Sequence, residues 1–394
     1  MDKITKETAQ VLAQGARESI LNLGLMVEDK FDINWHHRLI EDRLLKVYGG
    51  LGTRKGLKRL MIAMPPQIAN KSTLASKLFP AWALGKNPDL NFIVGSYNAT
   101  MARSHSKKSM NITREKIYEE VFGTKLNPRK RSADYWGVLG GRDGGYRAFG
   151  MKTGITGNPA DVCIIDDPIK GREDANSKLM RDKVWDIYTE EVLTRLLPGI
   201  GALILIFTRW HLDDPVGRIE QELLARGKKL EDEWEVLHLP AIAEKDEEYK
   251  LRDGSTVGRK KGESIWESRF PADPVLQRIK DSMPATTWAA LYQQNPISKE
   301  TQVFKPEMFQ QIDEDEVDKR DTVRFLAIDP SSGSGDDYTG FADVRVDTET
   351  KKWYVHAWHE KLKPLQLIDR LFELREMNRY AKIGMEGTMY QKVI

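Results

Sequence analysis

Residues 161–167 read Asp161-Val162-Cys163-Ile164-Ile165-Asp166-Asp167, an apolar run closing on two adjacent carboxylates. A run of this kind forms a buried strand. An acid at its C-terminal tip must face ligand or solvent, because burying an unpaired charge is costly. Upstream, Arg59-Leu60-Met61-Ile62-Ala63-Met64 is a second apolar strand. It runs into Pro65-Pro66-Gln67-Ile68-Ala69-Asn70-Lys71-Ser72-Thr73 and then a helix. Strand, tight loop, Lys-Ser, helix, and later a strand ending in Asp-Asp are the two halves of a nucleoside-triphosphate site with magnesium.

In a P-loop, backbone N–H groups wrap the phosphates, the Lys reaches the β/γ oxygens and the Ser/Thr hydroxyl ligates Mg²⁺. Measured against G-x-x-x-x-G-K-[ST], residues 65–72 keep Lys71 and Ser72 and put Pro65 and Asn70 where the glycines stand. Asn tolerates left-handed backbone, so Asn70 can make the turn. The expected nucleotide contacts are Pro66, Gln67, Ile68, Ala69, Asn70, Lys71, Ser72 and Thr73. Ser72 and Asp166 are the expected Mg²⁺ ligands, Asp166 acting through water, with Asp167 orienting or deprotonating the attacking water. The plainer readings are an ordinary strand-to-helix loop and a helix-capping Asp pair. Thr208-Arg209-Trp210-His211 ends another apolar strand, where Thr208 can hydrogen-bond near the γ-phosphate and couple hydrolysis to movement, or simply finish a surface strand.

The chain of 394 residues is long enough for two or three domains with large cores. Lys and Arg number 61 against 59 Asp and Glu, so net charge alone does not imply nucleic acid. Basic residues do gather at Arg103, Lys107, Lys108, Arg114 and Lys116 and at Arg129-Lys130-Arg131, either as DNA contacts or as a solvated helix face. Cys163 is the single cysteine, which excludes a disulfide framework and favours a reducing compartment. No run approaches ~18 apolar residues, and the polar N-terminus lacks a signal-peptide core, so the expectation is a soluble intracellular protein.

Apolar periodicity predicts helices over 5–29 and 34–48, then alternating strands and helices. The strands are 59–64, 91–97, 161–166, 201–208 and 234–240; the helices are 72–84, 99–121, 175–196 and 214–226. A Gly-rich hairpin-like stretch spans 137–157, and 245–262 is a loop or small hairpin. This pattern predicts an α/β fold, a mostly parallel sheet covered on both faces. Composition changes near residue 300, and strands at 323–329, 340–346 and 352–358, a helix at 364–379 and a strand at 381–386 follow. That is how an RNase H-like α/β core starts, and such a core is expected to be incomplete at Ile394. The expected division is an N-terminal helical segment 1–50, an ATPase domain 51–300, a linker 301–322 and a nuclease domain 323–394. Asp329 and Glu386 end two of the later strands, with Asp337 nearby. Strand-tip acids can share divalent metals for phosphodiester cleavage, or serve as caps and turns.

In this order the pieces resemble the large terminase subunit of tailed bacteriophages, a DNA-packaging ATPase with a cutting nuclease. The likeness runs through Trp35-His36-His37, Pro65-Pro66…Lys71-Ser72 and Ile155-Thr156-Gly157…Ile164-Ile165-Asp166-Asp167-Pro168. It continues through Thr208-Arg209-Trp210-His211 with Asp214 and Gly217, Phe270-Pro271, and Tyr292-Gln293-Gln294-Asn295-Pro296. Ala327-Ile328-Asp329-Pro330…Asp337-Tyr338-Thr339 and Met385-Glu386-Gly387 are similar to its first two nuclease motifs. The resemblance implies a P-loop ATPase of the ASCE type that uses ATP and Mg²⁺ to drive viral double-stranded DNA into a procapsid. It also implies metal-dependent cutting of concatemeric DNA by Asp329, Glu386 and Asp337 with Mg²⁺ or Mn²⁺. Expected partners are the DNA, a small terminase subunit and the procapsid portal, in a homo-oligomeric ring in the infected host's cytoplasm with no membrane. Such a ring needs an arginine in trans. The family's usual position is Asn158 here, which leaves Arg142 and Arg147 as candidates. The family usually has Gly where Asn70 stands and a further Asp beyond the second nuclease acid. The alternatives are a helicase-like P-loop DNA motor, or a degenerate ATPase serving as a DNA- or capsid-binding scaffold.

Overall fold

The apolar runs become the central strands of one large sheet. In a computed structural model, which describes residues 6–28, 30–151, 155, 157–297, 310–330 and 338–385, the chain divides after Gln302 into two compact units. The strands of the first unit's large sheet are β1 Arg59–Ala63, β2 Asn91–Ser96, β3 Leu126–Arg131, β4 Tyr135–Val138, β5 Gly145–Gly150, β6 Val162–Asp166, β7 Ala202–Phe207 and β8 Glu235–His238. Their order is β3-β4-β5-β2-β6-β7-β1-β8. All pairings from β5 to β8 are parallel; only β3–β4 and β4–β5 are antiparallel. The expected mixed α/β class with a mostly parallel sheet is the observed one.

Side chains of a strand alternate between faces, so continuous apolar runs feed two cores at once. Leu60 and Ile62, Ile164, and Ile204 and Ile206 enter one core. Met61 and Ala63, Cys163 and Ile165, and Leu203 and Leu205 enter the other. Each core is closed by helices. Cys163 is fully enclosed in β6, and burial pushes its thiol up to about 12. Ile20, Leu23, Leu39 and Leu44 of the N-terminal helices share the first core with the sheet.

Helix boundaries differ from the periodicity where small polar side chains compete with the backbone. The run expected over 5–29 breaks into Lys6–Glu18 and Ile20–Val27 at Ser19, whose φ is −132° and whose Oγ accepts from the Asn22 N–H. Ser19 also donates to Glu41 at 2.7 Å, which fixes the break against the next helix, Trp35–Gly50. The helix expected over 99–121 stops at Ile112 and resumes as Lys116–Phe122, because the Thr113 hydroxyl donates to the Met110 carbonyl and Glu115 turns extended. Arg129-Lys130-Arg131 lies in β3 rather than on a helix face. Its charges suit a sheet edge, where they discourage pairing with another chain. The polar stretch after residue 245 is a hairpin of β9 Glu247–Lys250 and β10 Thr256–Arg259, held by Arg259 on Glu247 at 2.8 Å.

Behind the loop that follows β1, His36 and His37 are fully enclosed, with ring centroids 5.4 and 4.9 Å from Trp266. The Asn34 N–H donates to His37 Nδ1 at 3.0 Å. Burial lowers His37 to about 4 and His36 well below the usual histidine range. An unfolded histidine titrates near ~6.5. Between these values the unfolded chain binds a proton that the folded chain refuses. Stability is therefore full above pH ~6.5 and falls as the pH drops towards the folded value, by about 3 kcal/mol from His37 alone. Urea unfolding midpoints at neutral and acid pH measure this. His37→Asn, which keeps the acceptor for Asn34, should flatten the profile, and equal slopes in both proteins would refute the assignment.

The second unit has strands β11 Thr322–Asp329, β12 Thr339–Asp347, β13 Trp353–Glu360 and β14 Lys382–Met385, in the order β13-β12-β11-β14. The first three are antiparallel, and β14 lies parallel to β11 after the helix Pro364–Met377. Its core is Leu326, Ile328, Phe341, Leu367 and Leu374. Among the described residues, no helix is long and apolar enough to cross a membrane.

Candidate functional site

The order β6-β7-β1 brings three strand tips to one edge of the sheet. The register sets Ala63 beside Phe207 and Asp166 beside Ile206, so Met64, Thr208 and Asp167 are neighbours. The loop from Pro65 then turns left-handed twice, with φ +64° at Gln67 and +50° at Asn70. Non-glycine residues seldom adopt this conformation, and it gathers at ligand-holding loops. A helix starts at Lys71 and contains a widened turn, Thr73–Leu78, before Phe79–Lys86.

Lys71 folds back under the loop. Its Nζ donates to Thr208 Oγ1 at 2.6 Å and to the Met64 carbonyl at 3.0 Å, and it lies 3.4 Å from Asp167 Oδ1. One ammonium thus ties the tips of β1, β6 and β7 together. On the other side of the loop, the Ser72 hydroxyl donates to Asp166 Oδ1 at 2.9 Å and the Ser76 hydroxyl to Oδ2 at 2.6 Å. His105 of the helix Ala99–Ile112 stands 3.8 Å from Oδ2. Asp166 is only 1% exposed, and burial raises its carboxyl above the usual range despite these partners. Asp167 also has a left-handed backbone, φ +46°, and its side chain is 36% exposed, so the two adjacent acids occupy different environments.

A cleft of about 480 Å³ opens above these groups, lined among others by Asn70, Lys71, Ser72, His105, Asp167 and Thr208. Mg²⁺ usually binds one or two carboxylates together with substrate phosphates and waters. The Ser72 hydroxyl beside the buried Asp166 carboxylate is a donor set of that kind. Among the described residues, no group of three or more His, Cys, Asp or Glu is placed to hold a metal by itself.

The segment after β7 is braced from behind. Arg209 Nε donates to Asp214 Oδ2 at 2.7 Å, and Asp214 Oδ1 accepts from Gly217 N–H at the start of the helix Pro215–Ala225. The Arg209 N–H donates to Gln294 Oε1 at 3.0 Å. Gln294 is 1% exposed with φ +58°, its amide donates to the Leu291 carbonyl, and its own carbonyl lies 3.2 Å from His238 Nε2. The motif around Gln294 is visible in the sequence, but nothing there points to Arg209. Gln294→Ala should cost about 1–3 kcal/mol, since it strands the Arg209 N–H and the Leu291 carbonyl. Urea unfolding measures the loss, and an unchanged midpoint would contradict the bracing role.

His105 was not foreseen either. Its spacing from Met101, which also lines the cleft, is that of one helix face, but a lone histidine on such a face carries no further sequence signature. Arg142 and Arg147 do not line the cleft. Arg147 lies in β5 with its guanidinium 3.8 Å from the Tyr135 ring centroid. Arg142 lies in the β4–β5 turn, with its N–H on Asp89 at 2.8 Å. Of the basic clusters, Arg103 is paired with Asp134 at 2.6 Å and Lys116 with Glu120 at 3.5 Å. In the second unit Asp329 is the last residue of β11, and Ile328 is in register with Met385, the last of β14. Glu386 and Asp337 lie outside the described residues.

No curated protein matches this chain. Among solved structures, the large terminase of a thermophilic bacteriophage (crystal form 2) is similar at TM-score 0.38 and 11% identity, over 88% of this chain and 77% of that one. The same phage protein in complex with ATP-gamma-S (crystal form 3) is similar at TM-score 0.35 and 12% identity, over 87% and 76%. A family model described as terminase large subunit, T4likevirus type, N-terminal, matches residues 65–311. With more than half of its 394 residues matched, from the loop after β1 onward, the chain belongs to the terminase large-subunit family, whose role is that of a DNA-packaging ATPase.

Proposed function

We propose that the chain hydrolyses ATP at the β1/β6/β7 edge to drive viral double-stranded DNA into a procapsid, and that its second unit cuts concatemeric DNA. The observation that carries the first part is the meeting of Lys71, Thr208 and Asp167 beside the Ser72–Asp166 pair. In this reading the backbone from Pro66 to Thr73 cradles the phosphates, and Lys71 moves from Thr208 to the β/γ oxygens as nucleotide enters. Ser72, and Asp166 through water, would hold Mg²⁺, which would supply positive charge to offset that building on the transferring phosphoryl group. Asp167 orients the attacking water, and Thr208, released by Lys71, transmits the state of the γ-phosphate to Arg209. Arg142 or Arg147 completes a neighbour's site in a homo-oligomeric ring seated on the portal, with a small terminase subunit delivering the DNA in the host cytoplasm. Residues 51–300 form the motor behind the N-terminal segment 1–50, and 301–322 link it to 323–394.

The test mixes the purified chain with portal-bearing procapsids, double-stranded DNA and ATP, and measures nuclease-protected DNA. Protection that requires ATP and procapsids is the expected result. Hydrolysis stimulated by DNA without protection would replace the packaging reading with another DNA motor. DNA or capsid binding without hydrolysis would leave a scaffold.

For cutting, Asp329 with Glu386 and Asp337 would hold Mg²⁺ or Mn²⁺ in an RNase H-like site. The support is the β11–β14 register, which pairs Ile328, the residue before Asp329, with Met385, the residue before Glu386. In a full-length chain, Asp329→Asn should abolish Mn²⁺-dependent plasmid cutting while ATP hydrolysis continues. Cutting that survives the substitution removes the nuclease assignment.

A further inference from the structure

The nucleotide reading leaves His105 without a task, although its ring lines the cleft. The imidazole is mostly enclosed, 13% exposed, and its buried Nδ1 has no hydrogen-bond partner among the described residues. Its Nε2 is 3.8 Å from Asp166 Oδ2, too far for a direct hydrogen bond. Both carboxylate oxygens already have hydroxyl partners at normal distances, Ser72 and Ser76. A ring one step beyond hydrogen-bonding distance from a metal-binding acid has the spacing of a group that meets it through water. Mg²⁺ held by one carboxylate keeps several waters, so such a partner is chemically available when the cleft is loaded.

We propose that His105 is an outer-shell partner of the nucleotide's divalent cation, hydrogen-bonding a water in the coordination shell of the ion held by Ser72 and Asp166. This rests on the nucleotide-site reading above. His105 then fixes the direction of that water and strengthens the grip on the ion, making it a positioning residue rather than a group that touches the reacting atoms. Groups that hydrogen-bond the ligands of a metal typically change its affinity about 10–100-fold when removed. A purely structural role, filling space beside Asp166, would predict no special link to the cation.

The test compares the affinity of an ADP carrying a fluorescent ribose label in EDTA and in Mg²⁺, with no turnover involved. The ratio of the two affinities measures how strongly protein, nucleotide and ion are coupled. His105→Ala should cut that Mg²⁺-dependent gain about tenfold and leave the affinity in EDTA unchanged, which also shows that the site still folds. His105→Gln, whose amide can reach the position of Nε2, should recover most of the gain. Asp166→Asn should remove it. If His105→Ala keeps the gain within twofold while Asp166→Asn loses it, the outer-shell role is wrong and the nucleotide site stands. If Asp166→Asn also keeps the gain, the nucleotide-site reading itself fails, and the role of His105 with it.

Discussion

Lys71→Ala should lower the rate of ATP hydrolysis by at least about a hundredfold, measured as phosphate release at saturating ATP. Loss of one preorganised donor to a developing charge typically costs ~10²–10³ in kcat. Here the donor is tied to three strand tips at once, through Met64, Asp167 and Thr208. The substitution would therefore remove both the proposed phosphate contact and the link by which nucleotide entry would release Thr208. Lys71→Arg should restore little, because a forked guanidinium does not fit a pocket shaped around a point charge. Equal hydrolysis by wild-type protein and Lys71→Ala would refute the motor. Thermal unfolding of both proteins separates a lost contact from a lost fold.

Asp167→Asn is expected to lower kcat about 10²–10⁴-fold while leaving binding of Mg²⁺ and nucleotide in place, the range for removal of a positioned general base. The local backbone makes this substitution a clean one. Asp167 sits at φ +46°, a conformation that Asn adopts as readily as Asp, so the carboxylate is removed without straining the strand tip. Asp167→Glu is less clean, since the longer side chain would have to be held at the same left-handed position. Asp166→Asn should fail in the opposite way, losing Mg²⁺-dependent binding before chemistry is reached. If Asp167→Asn hydrolyses ATP at the wild-type rate, another group handles the water. The contrast between the neighbours has a structural basis: Asp166 is enclosed by two serine hydroxyls, and Asp167 opens to the cleft.

Much of the fold was legible because its signals are local. An apolar run bounded by a loop and a helix reads as a buried parallel strand wherever it stands, and β1, β2, β6 and β7 all carry that pattern. The charged strand β3 was not legible, since Asn127-Pro128-Arg129-Lys130-Arg131 has no apolar alternation and is held by one neighbour at the sheet edge. The breaks at Ser19 and Thr113 were missed because a periodic pattern does not register a hydroxyl that bonds its own backbone.

At the candidate site, the residue types of the loop and of the Asp166-Asp167 tip could be read from chemistry alone. Their partners could not. Thr208 Oγ1 meets Lys71 only because β7 lies between β6 and β1, and strand order is fixed by how the two cores pack rather than by any pattern within a strand. The same holds for Gln294 behind Arg209 and for His105 beside Asp166, each brought in by an element distant along the chain. By itself, the sequence determined which strand tips end in paired acids and which leads into a Lys-Ser loop, groups that burial makes costly without a partner. The tertiary structure decided what each of these groups touches, because hydrogen bonds across strand tips exist only once the sheet has set its order and register.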